Sequence, residues 1–215
     1  ISMLNELFAL MDAAAARFRI VKIKCIGDCF MSLKAPLLKA GGKSRSDLKN
    51  VARCGLDMLR FLFHSFELVQ TVMLPFDDVA AEEDPENPLP RDLELRAGMN
   101  AGPCASGVVG FDKFLYDVFG DTVNTAARFE SSGKPSCVHT SKEVITLLDD
   151  FKDCLDFLPD GERVVSLKGI GEVETVLISN VRPPKGDNST DQGTAITFAE
   201  IHSSISTNHS TVGRS

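Results

Sequence analysis

The chain has 215 residues and a formal net charge of −7, with 43% hydrophobic and 25% charged residues. This composition is typical of a globular protein large enough to bury a core without disulfides. A pI near 5.1 disfavours general nucleic-acid binding, which needs a basic face. The sequence contains no run of 18 apolar residues, so it predicts no membrane span. Residues 75–94 contain eight acids and one base, so this segment holds the whole net charge.

Six cysteines are scattered along the chain without a CxxC pair, which predicts reduced thiols in a cytosolic setting. The four histidines are also dispersed, and they do not supply the clustered ligands of a zinc site. The chain begins at Ile1 inside an amphipathic pattern and shows no signal peptide. We therefore expect a piece of a longer protein.

The spacing of apolar residues predicts the first elements in chain order. An amphipathic helix is expected over residues 3–18, followed by strands over 20–26 and 29–33. The two strands should form a hairpin with its turn at Gly27 and Asp28. A glycine-containing connection then leads to a second helix, whose apolar positions run from 48 to 63. The proline-rich acidic segment 75–94 is expected to be a solvated insertion or loop.

The second half of the chain alternates strands with helices. The patterns predict strands over residues 93–99, 104–109, 137–140 and within 157–178, and helices over 121–131 and 141–149. Thr140 and Glu143 fit a capping box that opens the last helix. Turns are expected at 159–161 and 169–171. The polar composition of residues 183–215 predicts a disordered tail. The alternation as a whole predicts a mixed sheet with helices on one face.

Two segments contain candidate functional residues. Asp28 at the hairpin turn could hold a hard cation such as Mg²⁺, although an aspartate in a tight turn more often binds its own backbone. Lys24 is expected on the same strand face as Lys22 and Asp28, and a plain solvated face is the alternative. Asn124 and Arg128, at positions i and i+4 of a helix, suit a sugar hydroxyl and a phosphate. Such a pair is also common on ordinary helix surfaces.

Five motifs occur in a fixed order and give these residues a shared context. They are KIKCIGDCFM, LRAGMNAGP, GVVG, YDVFGDTVNTAARFES and SLKGIGEVET. Together they resemble the catalytic domain of class III nucleotidyl cyclases, the adenylyl and guanylyl cyclases, from about residue 4 to residue 181. The resemblance implies an α+β fold, with a ferredoxin-like βαββαβ core and extra C-terminal strands, whose first strand is missing here. It implies a catalytic domain over residues 1–182 with an acidic insertion at about 70–92.

The resemblance also implies a reaction and its cofactors. The 3′-hydroxyl of a nucleoside triphosphate attacks its own α-phosphorus and pyrophosphate leaves, with two Mg²⁺ or Mn²⁺ ions per site. Asp28 matches the second of two metal-binding aspartates. The first would precede residue 1, so we expect residues 1–215 alone to be inactive. The family forms head-to-tail dimers, and because this chain carries both metal-binding and nucleotide-binding residues, a homodimer with two equivalent sites is expected.

The remaining site residues follow from the same motifs. Lys24 and Asp117 match the positions that select the base. A donor and an acceptor there complement N1 and the 6-amino group of adenine, so ATP is the expected substrate. Asn124 matches the residue that orients the ribose. Arg128 matches the residue that stabilises the α-phosphoryl group in the transition state. Lys168 matches the lysine that binds the terminal phosphates.

Three alternatives stay open at this point: a guanylyl cyclase, a non-catalytic regulatory cyclase-homology domain, and a plain ferredoxin-like interaction module. Lys24 and Asp117 disfavour the first, because guanylyl cyclases have Glu and Cys or a similar residue at these positions. The retained polar residues disfavour the second, and the joint set of motifs disfavours the third. The resemblance implies a place on the cytoplasmic face. Many eukaryotic relatives are membrane-attached, but this segment itself is expected to contact neither a membrane nor nucleic acid.

Overall fold

The computed structural model describes residues 2–36, 44–83 and 94–184. These residues form helices and strands that alternate along the chain, so the predicted α+β class is confirmed. In chain order the elements are α1 (Ser2–Arg17), β1 (Val21–Ile26), β2 (Cys29–Leu33), α2 (Arg45–Glu83), β3 (Ala97–Gly98), β4 (Ala105–Val109), β5 (Leu115–Phe119), α3 (Asp121–Ser131), β6 (Val138–Ser141), α4 (Lys142–Leu147), a 3₁₀ helix (Asp149–Cys154), β7 (Leu155–Phe157), β8 (Arg163–Leu167) and β9 (Gly171–Val181).

The first helix and the β1–β2 hairpin agree with the prediction. Ile26 pairs with Cys29 in the antiparallel ladder, which puts the turn at the two intervening residues. Gly27 has a φ of 61°, a left-handed conformation that glycine adopts without strain in such a turn. The hairpin packs on α1 through its aromatic side chains, since the rings of Phe8 and Phe30 lie 5.9 Å apart.

Helix α2 is longer than the sequence analysis predicted. It continues through Pro75 to its last residue, so the first part of the acidic segment is helical and the prediction of a loop there is wrong. Val69 and Val72 are both 1% exposed, so the apolar face of the helix continues to residue 72, beyond the predicted positions. The rest of that segment, residues 84–93, lies outside the described residues.

The main sheet has the strand order β3–β6–β9–β7, with β8 paired to β9. Strand β3 runs parallel to β6, whereas the other pairs are antiparallel. The 11-residue strand β9 pairs with three neighbours and is buried over residues 175–178, so it forms the centre of the sheet. The turn predicted at 159–161 lies between β7 and β8, and the turn predicted at 169–171 lies one residue earlier, at 168–170, because Gly171 begins β9. The strand predicted over 93–99 is reduced to the two residues of β3.

Strands β4 and β5 form a separate antiparallel hairpin. The sequence predicted β4 but not β5, because the apolar run from Phe114 to Phe119 shows little alternation between polar and apolar residues. The hairpin exposes many large apolar side chains: Val108, Val109, Phe111, Phe114, Leu115, Tyr116 and Phe119. This exposed apolar ribbon is the least covered apolar surface of the described residues.

The hydrophobic core lies between α2 and the main sheet. Leu59 from α2 packs there with residues of β3, β6 and β9, all of them buried. The adjoining helix α4 is capped by the hydroxyl of Ser141, which accepts the N–H of Val144 at 3.3 Å. The predicted capping box at Thr140 is therefore wrong by one residue. The hydroxyl of Thr140 donates instead to the carbonyl of Met99 at 2.8 Å, which ties β6 to β3.

Contacts within the chain group Ile1–Arg182 into one compact unit. The predicted tail begins at residue 183 and, beyond residue 184, lies outside the described residues. All six cysteines lie in described segments and all are free thiols. Within the described ranges, the helices are too short or too polar to cross a membrane.

Candidate functional site

The two residues predicted to select the base lie on different strands and contact each other. Nζ of Lys24 on β1 donates to Oδ2 of Asp117 on β5 at 2.6 Å. The other carboxylate oxygen, Oδ1, accepts the backbone N–H of Val118 at 2.8 Å. The Asp117 side chain is 11% exposed and that of Lys24 is 27% exposed, so the pair is largely shielded from water. The hydrogen bonds from Lys24 and then from Val118 hold the pKa of Asp117 below its ordinary value.

A β-bulge determines the direction in which Lys24 points. Lys22 pairs with Ser32 whereas Lys24 pairs with Met31, so β1 has one extra residue between the two lysines. Adjacent residues of β2 face opposite sides of the hairpin, and the two lysines therefore do so as well. The prediction that they share a face is wrong. Lys22 forms an ion pair with Asp12 of α1 at 2.7 Å, while Lys24 is directed towards β5.

Helix α3 carries Asn124 and Arg128 on successive turns, as the sequence predicted. The helix begins after Gly120, whose φ of 134° is accessible to glycine. Asn124 is exposed, whereas Arg128 is half-buried. Nη1 of Arg128 is enclosed and has no hydrogen-bond partner in the part of the chain that the structure describes. An enclosed guanidinium donor of this kind can be satisfied by an anionic ligand.

The position of α3 is fixed by close contact with the main sheet. A Cβ at Gly98 of β3 would lie 2.1 Å from the carbonyl oxygen of Ala126 and 2.2 Å from the amide nitrogen of Glu130. Backbone therefore packs directly on backbone at this point. At the other end of α3, the Thr122 hydroxyl donates to the carbonyl of Pro103 at 2.7 Å. The chain from Gly98 to Pro103 thus contacts both the first turn and the C-terminal half of the helix.

Lys168 lies in the turn between β8 and β9 and is exposed. The next residue, Gly169, has a φ of 78°, and a Cβ there would lie 3.9 Å from Nη1 of Arg128. The turn that carries Lys168 is therefore adjacent to the enclosed guanidinium of Arg128. Two basic residues from distant parts of the sequence are brought to one region, and this arrangement suits phosphate groups.

Asp28 is exposed at the tip of the β1–β2 hairpin. No group of three His, Cys, Asp or Glu residues in the described ranges could hold a metal ion. A single exposed carboxylate nevertheless fits Mg²⁺, which one or two carboxylates commonly hold together with substrate phosphates. The adjacent Cys29 is a poor ligand, because burial, and then the charges of Glu130 and Asp28, raise the pKa of its thiol.

Sequence reasoning missed a partly buried polar cluster at the C-terminal end of α3. It consists of Ser132, His139 and Arg163, and we call it the α3 anchor. His139 is fully buried in β6, and its Nδ1 lies 2.9 Å from the carbonyl oxygen of Phe129. The available signal was a histidine inside a short strand otherwise suited to burial, where a polar ring requires a partner.

Known proteins resemble this chain over most of its length. Residues 1–180 match the family model described as the adenylate and guanylate cyclase catalytic domain. Receptor-type guanylate cyclase gcy-2 of Caenorhabditis elegans is 32% identical over 174 residues, which are 80% of this chain and 14% of that protein. Guanylyl cyclase C of Mus musculus is 32% identical over 182 residues, 85% of this chain and 15% of that protein. This chain thus spans about a seventh of the length of the curated relatives.

The fold has a solved counterpart. The crystal structure of the adenylyl cyclase CyaB from P. aeruginosa superposes with a TM-score of 0.66 over 84% of this chain and 82% of that chain. The two sequences are 21% identical, so the comparison shows a shared fold.

Proposed function

Because this chain belongs to the family of adenylate and guanylate cyclase catalytic domains, we propose that it is an adenylyl cyclase, which converts ATP to 3′,5′-cyclic AMP and pyrophosphate. The observation that supports this proposal is the ion pair between Lys24 and Asp117. Adenine presents an acceptor at N1 and a donor at its 6-amino group. Lysine can only donate and an ionised aspartate can only accept, so the two side chains together complement the edge of adenine.

A guanylyl cyclase is the second candidate, because the curated relatives described above are guanylate cyclases. Guanine has a donor at N1 and an acceptor at O6, the reverse of adenine. With guanine in the same pose, Lys24 would face the N1 donor and Asp117 would face the O6 acceptor. Mismatched polar groups in a shielded site are strongly disfavoured, so the pair favours ATP.

The basic residues of the second region suit the triphosphate. Arg128 has an enclosed, unpartnered Nη1 within the described residues, and we assign it to the charge that develops on the α-phosphoryl group. Lys168, on the adjacent turn, is assigned to the terminal phosphates. Asn124 lies one helical turn before Arg128 and is exposed, as a residue that orients the ribose would be.

Asp28 is assigned to the metal. Its exposed carboxylate would hold Mg²⁺ or Mn²⁺, two ions per site, together with phosphate oxygens and a second carboxylate outside the described residues. When bound, the metal ions activate the 3′-hydroxyl and neutralise charge on the triphosphate. The chain's own contribution there is to supply a rigid turn, with the left-handed Gly27 immediately before Asp28.

We assign a second copy of this chain as the partner, in a homodimer with two equivalent sites. The support is the exposed apolar ribbon of β4 and β5, because an apolar surface of this kind is typical of an interface. One side chain of the ribbon, Phe111, is 99% exposed. The six free thiols support a reducing compartment such as the cytoplasm, and the receptor-type relative supports a place on the cytoplasmic face of a membrane protein.

The test of base choice is a double substitution, Lys24→Glu with Asp117→Cys, in the full-length protein. We expect the ratio of kcat/KM for ATP to that for GTP to fall by at least ~100-fold, since both hydrogen-bonding roles are reversed or removed. Lys22→Glu is the matched control, because Lys22 lies on the same strand but on its other face. It should leave the ratio unchanged.

The wild-type protein provides the decisive comparison. A preference for GTP in the wild type would refute the assignment of ATP and favour the guanylyl cyclase. No turnover of either nucleotide by the full-length protein, with Mg²⁺ or Mn²⁺ present, would instead favour a non-catalytic regulatory domain.

A further inference from the structure

The α3 anchor adds side-chain hydrogen bonds at the C-terminal end of α3, where the last carbonyl groups of a helix lack the full set of intrahelical N–H partners. The Ser132 hydroxyl donates to the carbonyl of Arg128 at 2.7 Å. The Arg128 carbonyl also accepts the backbone N–H of Ser132 at 3.1 Å. Nδ1 of His139 lies 2.9 Å from the carbonyl oxygen of Phe129, and Nη2 of Arg163 donates to the carbonyl of Ser132. Three side chains from three segments therefore secure the last turn of the helix.

The hydrogen bond to Phe129 determines the tautomer of His139. A carbonyl oxygen can only accept, so the proton of the neutral ring must be on Nδ1. Nε2 is buried and has no hydrogen-bond partner in the described part of the chain. Burial of the ring lowers its pKa; the hydrogen bond to Phe129 opposes this, and the nearby charge of Arg163 adds to the lowering. His139 is thus held as a neutral donor aimed at the helix end.

The residue secured by the anchor is Arg128. Its carbonyl oxygen accepts from Ser132, and the carbonyl of the next residue, Phe129, accepts from His139. Its guanidinium lies beside the turn at Gly169, where Nη1 is enclosed. A small rotation of the last turn of α3 would therefore move the guanidinium away from this location.

We propose that His139 is a positioning residue for Arg128: its Nδ1–H bond to the Phe129 carbonyl fixes the last turn of α3 and thereby the guanidinium. This role rests on the proposed function in one respect: the proposed function supplies the phosphoryl group that the guanidinium binds. A displacement of about 1 Å at a reacting centre can lower a rate by ~100-fold. The effect should fall on kcat, because the contact made by Arg128 is assigned to the transition state.

Two substitutions of His139 separate the hydrogen bond from simple packing. His139→Leu introduces an apolar side chain of similar length and removes the hydrogen-bond donor. His139→Asn places an amide N–H near the position of Nδ1 and keeps the donor. Ser132→Ala acts at a partly exposed position and removes the hydroxyl that donates to the Arg128 carbonyl and lies 3.2 Å from Nδ1 of His139. It serves as a second variant if His139→Leu does not fold.

Kinetics of the full-length protein should show the positioning role. We expect His139→Leu to lower kcat by ~10- to 100-fold with KM changed less than about threefold, and His139→Asn to recover most of the loss. In an Arg128→Ala background, His139→Leu should lower kcat no further, because the group that it positions is absent. An equal loss of kcat with and without Arg128 would overturn the proposal.

A spectroscopic measurement is independent of activity and of the choice of nucleotide. In ¹⁵N-labelled protein, the His139 ring should show a protonated Nδ1, and the Arg128 side-chain signal should shift in His139→Leu but not in His139→Asn. An unprotonated Nδ1, or an Arg128 signal unchanged in His139→Leu, would overturn the positioning role. If these signals behave as expected while the protein prefers GTP or is inactive, the proposed function fails and the positioning role stands.

Discussion

Replacement of Gly98 by alanine tests whether backbone contact between α3 and β3 sets the geometry of the site. The added Cβ would lie 2.1 Å from the carbonyl oxygen of Ala126 and 2.2 Å from the amide nitrogen of Glu130. Real Cβ atoms almost never approach another heavy atom within 3.0 Å, and backbone atoms cannot rotate away as a side chain can. The helix and the strand must therefore separate by about 1 Å.

This displacement predicts two measurable effects. Overpacking of this kind lowers the free energy of unfolding by about 1–3 kcal/mol, which corresponds to a Tm lower by about 2–12 °C in a domain of this size. Because α3 carries Asn124 and Arg128, the same displacement should lower kcat by ~100-fold in the full-length protein. Thermal unfolding followed by circular dichroism gives the first quantity, and steady-state cyclic nucleotide formation gives the second.

Gly107→Ala is the matched control. Gly107 lies on β4, and a Cβ there would meet no heavy atom within 4 Å. The control should change the free energy of unfolding by less than about 0.5 kcal/mol. If Gly98→Ala has the same Tm as Gly107→Ala and the same kcat as the wild type, then α3 tolerates the displacement and our account of how the helix is positioned is refuted.

Two further predictions concern a helix cap and the pH dependence of stability. Ser141→Ala should lower the free energy of unfolding by about 1 kcal/mol, because it removes the N-cap of α4. Glu143→Ala, which removes the carboxylate of the capping box predicted from sequence, should have less than half that effect; equal effects in urea unfolding would support that capping box. The pKa of Asp117 is lowered in the folded state, so its ionised form adds stability above the pKa of the unfolded chain, and this contribution is lost as the pH falls through the folded-state pKa. Lys24→Met should raise the pKa of Asp117 and move the loss of stability to higher pH, as followed by urea unfolding between about pH 2 and 6. In an Asp117→Asn background, Lys24→Met should no longer change how stability falls at acid pH. An unchanged fall of stability at acid pH in Lys24→Met alone would contradict the role of the ion pair.

Local patterns predicted much of the fold, and the reason differs between elements. The helix α1 and the β1–β2 hairpin depend on apolar periodicity and on a turn at Gly27, all of which are written in neighbouring residues. The family and the α+β fold depend on five separated motifs, and both are confirmed. The predicted site residues also came from those motifs, because Lys24 and Asp117 are 93 residues apart and no local pattern relates them.

The features that could not be predicted depend on tertiary contacts. The bulge in β1 is stabilised by partners on both sides of the hairpin, Asp12 for Lys22 and Asp117 for Lys24, and neither is near in sequence. The cap of α4 is Ser141, whose hydroxyl accepts from Val144, whereas the hydroxyl of Thr140 is directed to the carbonyl of Met99, just after β3. His139 became visible only when β6 was placed against the end of α3.

In the role proposed for Lys24 and Asp117, their ion pair also constrains how base preference can evolve. Each side chain neutralises the other at 2.6 Å, and both are largely shielded from water. A single substitution at either position leaves a lone charge in that shielded place, which is unfavourable before any nucleotide binds. A lineage that changes its substrate one mutation at a time must therefore pass through an intermediate with lower activity on both nucleotides. The coupling between the two positions therefore slows any evolutionary change of base preference, independently of selection on the cyclic nucleotide that is produced.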